Sequence, residues 1–298
     1  MTEPRARTVP FGGEDLRIWE KGRGEPLVFL AGFGGLPRWA AFLETLSQSR
    51  HVFAPSLPGF PGGGRAHEKL DSHLDWLIAA HGLVAAAGVR PVDVVGVSLG
   101  AALAADVAAL WPELVRRLVL VSPLGIHDPN DPPADVFAVR PDAVARTFTA
   151  NPEAWTRHIA KPDGVDDLEW SVLMLRANEA AARLLWPLSD TGLSKRLKRI
   201  AAPTLIVMGD QDNVLPKSYA KKFADGIGAE TTIKTLDGAG HHADLDAPDQ
   251  LANVVVAHCG SAAPAARRTA GTKQAGRRRP APKRTKPGRA AAKRRRRR

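Results

Sequence analysis

A serine framed by two glycines is the first place where this 298-residue chain could do chemistry. Residues 96–100 read Gly-Val-Ser-Leu-Gly, at the end of the apolar run 92–97 and at the start of an Ala-rich, helix-like stretch over 99–110. That setting puts Ser98 on a sharp strand-to-helix turn, its hydroxyl exposed at a sheet edge and backed by the positive end of a helix. Side chains at 96 and 100 would collide with the turning chain, which is why glycine stands there. A serine hydroxyl is a poor nucleophile until a base takes its proton. Of nine histidines, the adjacent pair His241 and His242 follows the β-like run 231–236 in a glycine-rich loop. The base needs a carboxylate on its other ring nitrogen to fix its tautomer. Asp210 and Asp212 both stand in the loop after the apolar run 204–208, and both compete for that role.

The elements that must hold these loops together alternate along the chain. Strand-like runs at 16–19, 27–30, 52–54, 92–97, 118–121, 204–208 and 231–236 are separated by helix-like stretches at 37–47, 71–87, 99–110, 217–225 and 249–257. Asp71 or Ser72 can cap the second helix, whose Leu74, Leu77 and Ile78 share a face. Several of the strands are continuous apolar runs, which marks a mostly parallel sheet covered by helices on both faces, an α/β fold. Every candidate loop then leaves a C-terminal strand end, the edge where open α/β sheets bind ligands. Residues 123–199 break the alternation with prolines, acidic runs, three tryptophans and no convincing strand. They read as a helical cap insertion between the two core segments, 1–122 and 200–260.

On these residues the segment 10–260 resembles the α/β-hydrolase superfamily, with the chain order Ser, Asp, His expected of that fold. The resemblance selects between the rivals. Gly-His followed five residues on by an acid and then x-Pro fits His241, Asp246 and Pro248, and leaves out His242. Gly209-x-x-Asp212-x-x-x-Pro216 fits the acid loop at Asp212. The oxyanion of acyl transfer needs preorganised donors: one is expected from the N–H of Leu99, and the resemblance implies the N–H of Phe33 as the other. Gly34 and Trp186 are expected to contact substrate. Where the family usually has His and Asp, this chain has Ala31 and Ser56. The implied activity is a cofactor-free serine hydrolase cleaving a small ester or lactone through an acyl-enzyme. C–C bond hydrolysis and perhydrolase chemistry are the alternatives on the same fold, although the ring-cleavage hydrolases often carry Trp where this chain has His242.

Other chemistries find no support in the spacing. Gly32-x-Gly34-x-x-Pro37 lacks the third glycine of a dinucleotide loop, Asp210-x-Asp212-x-Val214 fails as a calcium loop, and no His/Cys cluster has zinc spacing. Neither a metal nor another cofactor is implied. Cys259 is the one cysteine, which suits a cytoplasmic protein without disulfides. The net charge of +11 is unevenly spread: 261–298 holds 16 Lys and Arg and no acids, whereas 1–260 holds 26 basic against 31 acidic residues. With Ala, Pro, Gly and no aromatics, 261–298 is expected to be disordered and to touch polyanions (nucleic acid, polyphosphate or an anionic membrane) through non-specific phosphate contacts. A rival reading of another class follows, a non-catalytic hydrolase-like scaffold tethered to polyanions by that tail. Oligomeric state is not legible.

Overall fold

The computed structural model describes residues 3–260. The tail expectations for 261–298 therefore lie outside the described residues. Eight strands form one sheet in the order β1-β2-β4-β3-β5-β6-β7-β8: β1 (Arg5–Phe11), β2 (Glu14–Lys21), β3 (Pro26–Leu30), β4 (His51–Pro55), β5 (Val92–Val97), β6 (Val115–Val121), β7 (Thr204–Gly209) and β8 (Thr231–Leu236). β1 pairs with β2 and β2 with β4 in antiparallel fashion, and every pairing from β4 to β8 is parallel.

The apolar strands are continuous because both faces are buried. Val92 and Val94 of β5 belong to one core, with Trp76 and Leu83 of α2 (His73–Ala85) and Leu103 of α3 (Leu99–Leu110). Val95 and Val97 belong to the other, with Phe42 and Leu46 of α1 (Ala41–Ser47) and Leu251 and Val255 of α10 (Pro248–Gly260). A period of two thus feeds two cores rather than one core and solvent. Asp93 interrupts β5 as a buried charge, held by Arg116 at 2.6 and 2.9 Å and by Arg50 at 3.4 Å.

Between β6 and β7 the chain runs through α4 (Val144–Phe148), α5 (Pro152–Ile159), α6 (Asp167–Leu185) and α7 (Leu193–Arg196), with no strand. α8 (Ser218–Gly226) follows β7, and the four-residue α9 (Ala243–Asp246) follows β8. Among the described residues no helix is long and apolar enough to cross a membrane.

Three elements differ from expectation. β1 is additional: its alternating exposure and its Pro10 suit an edge strand bonded on one side only. The helix expected from residue 37 starts at Ala41, with residue Ala40 extended and offering no side-chain cap. Ser72 does cap α2, in a reciprocal box with Asp75, but Leu74 and Ile78 are 58% and 50% exposed. Trp76, Ala80 and Leu83 supply the larger apolar stripe, so that stripe faces the sheet and turns Leu74 and Ile78 outward.

Candidate active site

The turn at Ser98 is built by close approach. Ser98 has φ 55° and ψ −117°, a conformation that L-residues avoid and that costs about 1–3 kcal/mol. It is held by Ser98 N–H donating to the Val121 carbonyl at 2.8 Å and by the Ala101 and Ala102 N–H groups donating to the Ser98 carbonyl at 3.1 Å. A Cβ on Gly96 would stand 2.5 Å from the Gly100 carbonyl oxygen, inside the turn as expected. A Cβ on Gly100 meets a different obstacle, the Leu30 and Ala31 carbonyls at the end of β3. That second glycine therefore lets α3 lie against the neighbouring strand.

The three loops converge. Ser98 Oγ–H donates to His241 Nε2 at 2.7 Å, and His241 Nδ1–H donates to both Asp212 oxygens at 3.1 Å. Ser98 and His241 are fully buried. Burial works to raise the Asp212 carboxyl, but the facing imidazole and the N–H groups of Leu215 and Val214 outweigh it and hold the group below the usual carboxylate range. Those two N–H groups donate to Asp212 Oδ1 at 2.9 Å, so the acid is oriented by its own loop. Asp210 points elsewhere. Its Oδ1 accepts from Gly238 N–H at 2.7 Å and ties the β7 loop to the β8 loop. Asp246 accepts from Gly240 N–H at 2.8 Å and from the Ala150 and Asn151 N–H groups, bracing the histidine loop against the segment that leads into α5.

The loop after β3 lies against the nucleophile. Leu30 is in register with Gly96, and a Cβ on Gly32 would stand 3.0 Å from the Ser98 Cβ. Phe33 is buried, and Leu99 opens α3, where first-turn N–H groups lack an intrahelical acceptor. Gly34 lines a cavity of about 280 Å³ together with Phe33, Phe137, Phe148, Trp155 and Asn178. Trp186 does not reach it: the side chain is 62% exposed and absent from the cavity wall, because α6 ends just before it and turns it to solvent. Arg183, three residues before Trp186, pairs with Glu179 at 2.9 Å on the same helix.

Two site residues had no signal in their spacing. Phe148 packs its ring 4.7 Å from Trp155, 5.0 Å from Phe33 and 6.0 Å from His241, roofing the site. His158 of α5 donates its Nε2–H to the Gly35 carbonyl at 3.1 Å, fastening the β3 loop from above. Burial pushes this imidazole down to about 4, which keeps it neutral. Cys259 is buried and burial raises its thiol, so it stays protonated, far from a nucleophile's state.

A family model described as the alpha/beta hydrolase family matches residues 27–254. The chain belongs to that family. As an alpha/beta hydrolase it shares 25% identity over 261 residues with a 2-hydroxymuconate semialdehyde hydrolase of Pseudomonas sp. strain CF600, covering 84% of this chain and 92% of that protein. It shares 26% over 259 residues with a strigolactone esterase of Arabidopsis thaliana, covering 80% and 94%. Among solved structures, the 2-hydroxy-6-oxo-6-phenylhexa-2,4-dienoate hydrolase of Rhodococcus sp. strain RHA1 superposes with a TM-score of 0.70 at 19% identity, over 87% of this chain and 99% of the other. That last likeness is one of fold.

Proposed function

We propose that this alpha/beta hydrolase acts on a carbonyl carbon through Ser98, with His241 as base and Asp212 as the acid that orients it. The observation that carries the reading is the continuous hydrogen-bonded line from Ser98 Oγ through His241 to Asp212. His241 takes the serine proton as Oγ bonds to the carbonyl carbon, and the N–H groups of Leu99 and Phe33 hold the oxyanion. His241 then returns the proton to the leaving group, and water repeats the cycle on the acyl-enzyme. An apolar cavity of about 280 Å³ beside Phe33 and Gly34 supports a compact acyl group. A small ester or lactone is the first reading. A second is C–C bond hydrolysis, favoured by relatives named 2-hydroxymuconate semialdehyde hydrolase and 2-hydroxy-6-oxo-2,4-heptadienoate hydrolase at 25% and 28% identity.

The test pairs a fluorophosphonate label with two substrates, a p-nitrophenyl ester series and a coloured 2-hydroxy-6-oxo-dienoate. Wild type should label at residue 98 and turn over short acyl esters; Ser98→Ala should lose both. Faster turnover of the dienoate, with the same dependence on Ser98, would select the second reading. Equal hydrolysis by wild type and Ser98→Ala would end both, and a wild type that fails to label would favour the scaffold.

A further inference from the structure

The residue beside the base is a second buried imidazole with its own carboxylate. His242 Nδ1 lies 3.2 Å from Asp244 Oδ1, and both side chains are buried. Burial works to raise the Asp244 carboxyl, but the interaction with the facing His242, its hydrogen bond included, outweighs this and holds the group low. An ionised Asp244 can only accept, so Nδ1 is the nitrogen that carries the hydrogen facing it, and a ring with a single hydrogen turns the Nε2 lone pair the other way. That Nε2 is fully enclosed and has no hydrogen-bond partner among the described residues. It lies near the nucleophile: a Cβ on Gly32 would stand 3.1 Å from His242 Nε2 and 3.0 Å from the Ser98 Cβ, so both side chains border the same small space over Gly32. Phe148 and Trp155 meet the ring edge-on at 5.6 and 5.4 Å and fix its plane. A buried acceptor left unmet is costly, so this atom calls for a donor in the space beside Ser98.

Resting on the serine-hydrolase reading, we propose that His242 Nε2 accepts an O–H group beside Ser98, with Asp244 as the positioning residue that keeps it an acceptor. Two sources carry that chemistry. One is a hydroxyl on the substrate carbon next to the scissile carbonyl. The other is the water that deacylates Ser98. In that step one water proton passes to His241 as the water oxygen bonds to the acyl carbon. The Ser98 ester bond breaks, Oγ recovers the proton from His241, and His242 holds the second O–H of the water throughout.

The experiment compares a 2-hydroxyacyl aryl ester with its deoxy counterpart on wild type, His242→Phe, His242→Gln and Asp244→Asn. His242→Phe keeps a ring but removes the acceptor, and His242→Gln restores one. Asp244→Asn offers its amide N–H to Nδ1 and so turns Nε2 into a donor. A substrate hydroxyl predicts that Phe and Asn variants lose at least about tenfold in kcat/KM on the hydroxy ester alone, with Gln recovering part of it. A held water predicts a loss in kcat on both esters with KM falling, a burst of aryl alcohol, and acyl-Ser98 visible by intact mass. Asp244→Asn keeps the test open should the Phe variant not fold. Variants that label with fluorophosphonate at the wild-type rate and hydrolyse both esters as wild type does would overturn the proposal. A wild type that does not label defeats the serine-hydrolase reading instead.

Discussion

Single atoms decide whether Ser98 reacts. Its proton can leave only while His241 Nε2 is unprotonated, and that tautomer is imposed by Asp212 accepting at Nδ1. Asp212→Asn keeps an oxygen for the Val214 and Leu215 N–H groups but can direct its amide N–H at the ring, which moves the imidazole hydrogen to the nitrogen facing Ser98. We expect kcat to fall by about 10⁴-fold with thermal stability little changed, the size seen when an oriented acid becomes an amide in a relay of this kind. Asp210→Asn should do the reverse, weakening the tie to Gly238 while leaving kcat within a few-fold. Assaying both variants on one ester, with melting curves alongside, assigns the acid; a large kcat loss for Asp210→Asn and none for Asp212→Asn would reverse the assignment. Charge and loop leave these two acids unresolved, and only the resemblance, through Gly209-x-x-Asp212-x-x-x-Pro216, picks out Asp212. What separates them physically is the partner each carboxylate faces, the His241 ring for Asp212 and the Gly238 N–H for Asp210, which charge and loop do not record. The same holds for Gly100, whose neighbour is a carbonyl of β3 rather than the turn itself.

At the level of elements, the centre of the sheet was readable because β5 and β7, which lead into Ser98 and Asp212, are fully buried, and burial on two faces writes itself as runs of Val, Leu and Ile. β1 was not, because an edge strand that alternates Arg, Thr and Val around Pro10 has the composition of a loop. The helices between β6 and β7 announce themselves by composition, but their grip on the site does not: His158 and Phe148 act through a carbonyl and a ring face. His158 makes this grip pH-dependent. Folded, its imidazole is pushed down to about 4, chiefly by burial, while Asp244 works against that shift; unfolded, it protonates near the ordinary histidine value. The unfolded chain therefore binds the extra proton as pH falls, so stability is complete above about 6.5 and is lost on the way down to about 4. The contribution is on the order of 3 kcal/mol. His158→Gln can still donate to Gly35 and cannot titrate, so urea unfolding of that variant should change less between pH 7.5 and 4.5 than the wild type does. Parallel pH profiles for the two proteins would place the acid sensitivity in other groups.

For the whole molecule, charge is the property that a single number hides. Residues 1–260 carry 26 Lys and Arg against 31 Asp and Glu, and 261–298 adds 16 basic residues with no acid. We propose that polyanion binding belongs to 261–298, and α10 dictates where the chain can be cut. α10 buries Leu251, Ala252, Val255 and Cys259 against the sheet, so a cut within it would expose apolar surface and unfold the core. A cut after Gly260 removes none of these side chains and none of the residues around Ser98. The truncated protein should hydrolyse esters with unchanged kcat/KM. On heparin it should elute at low salt, whereas the full chain is retained, with a log-log salt slope that grows with the number of phosphate-like contacts made. Equal retention of both forms would move the anion contact onto the acidic body, where it would have to be a local patch working against the net charge. Lost activity on truncation would mean that the basic segment takes part in forming or feeding the site, which the closed hydrogen-bond circuit at Ser98 gives no reason to expect.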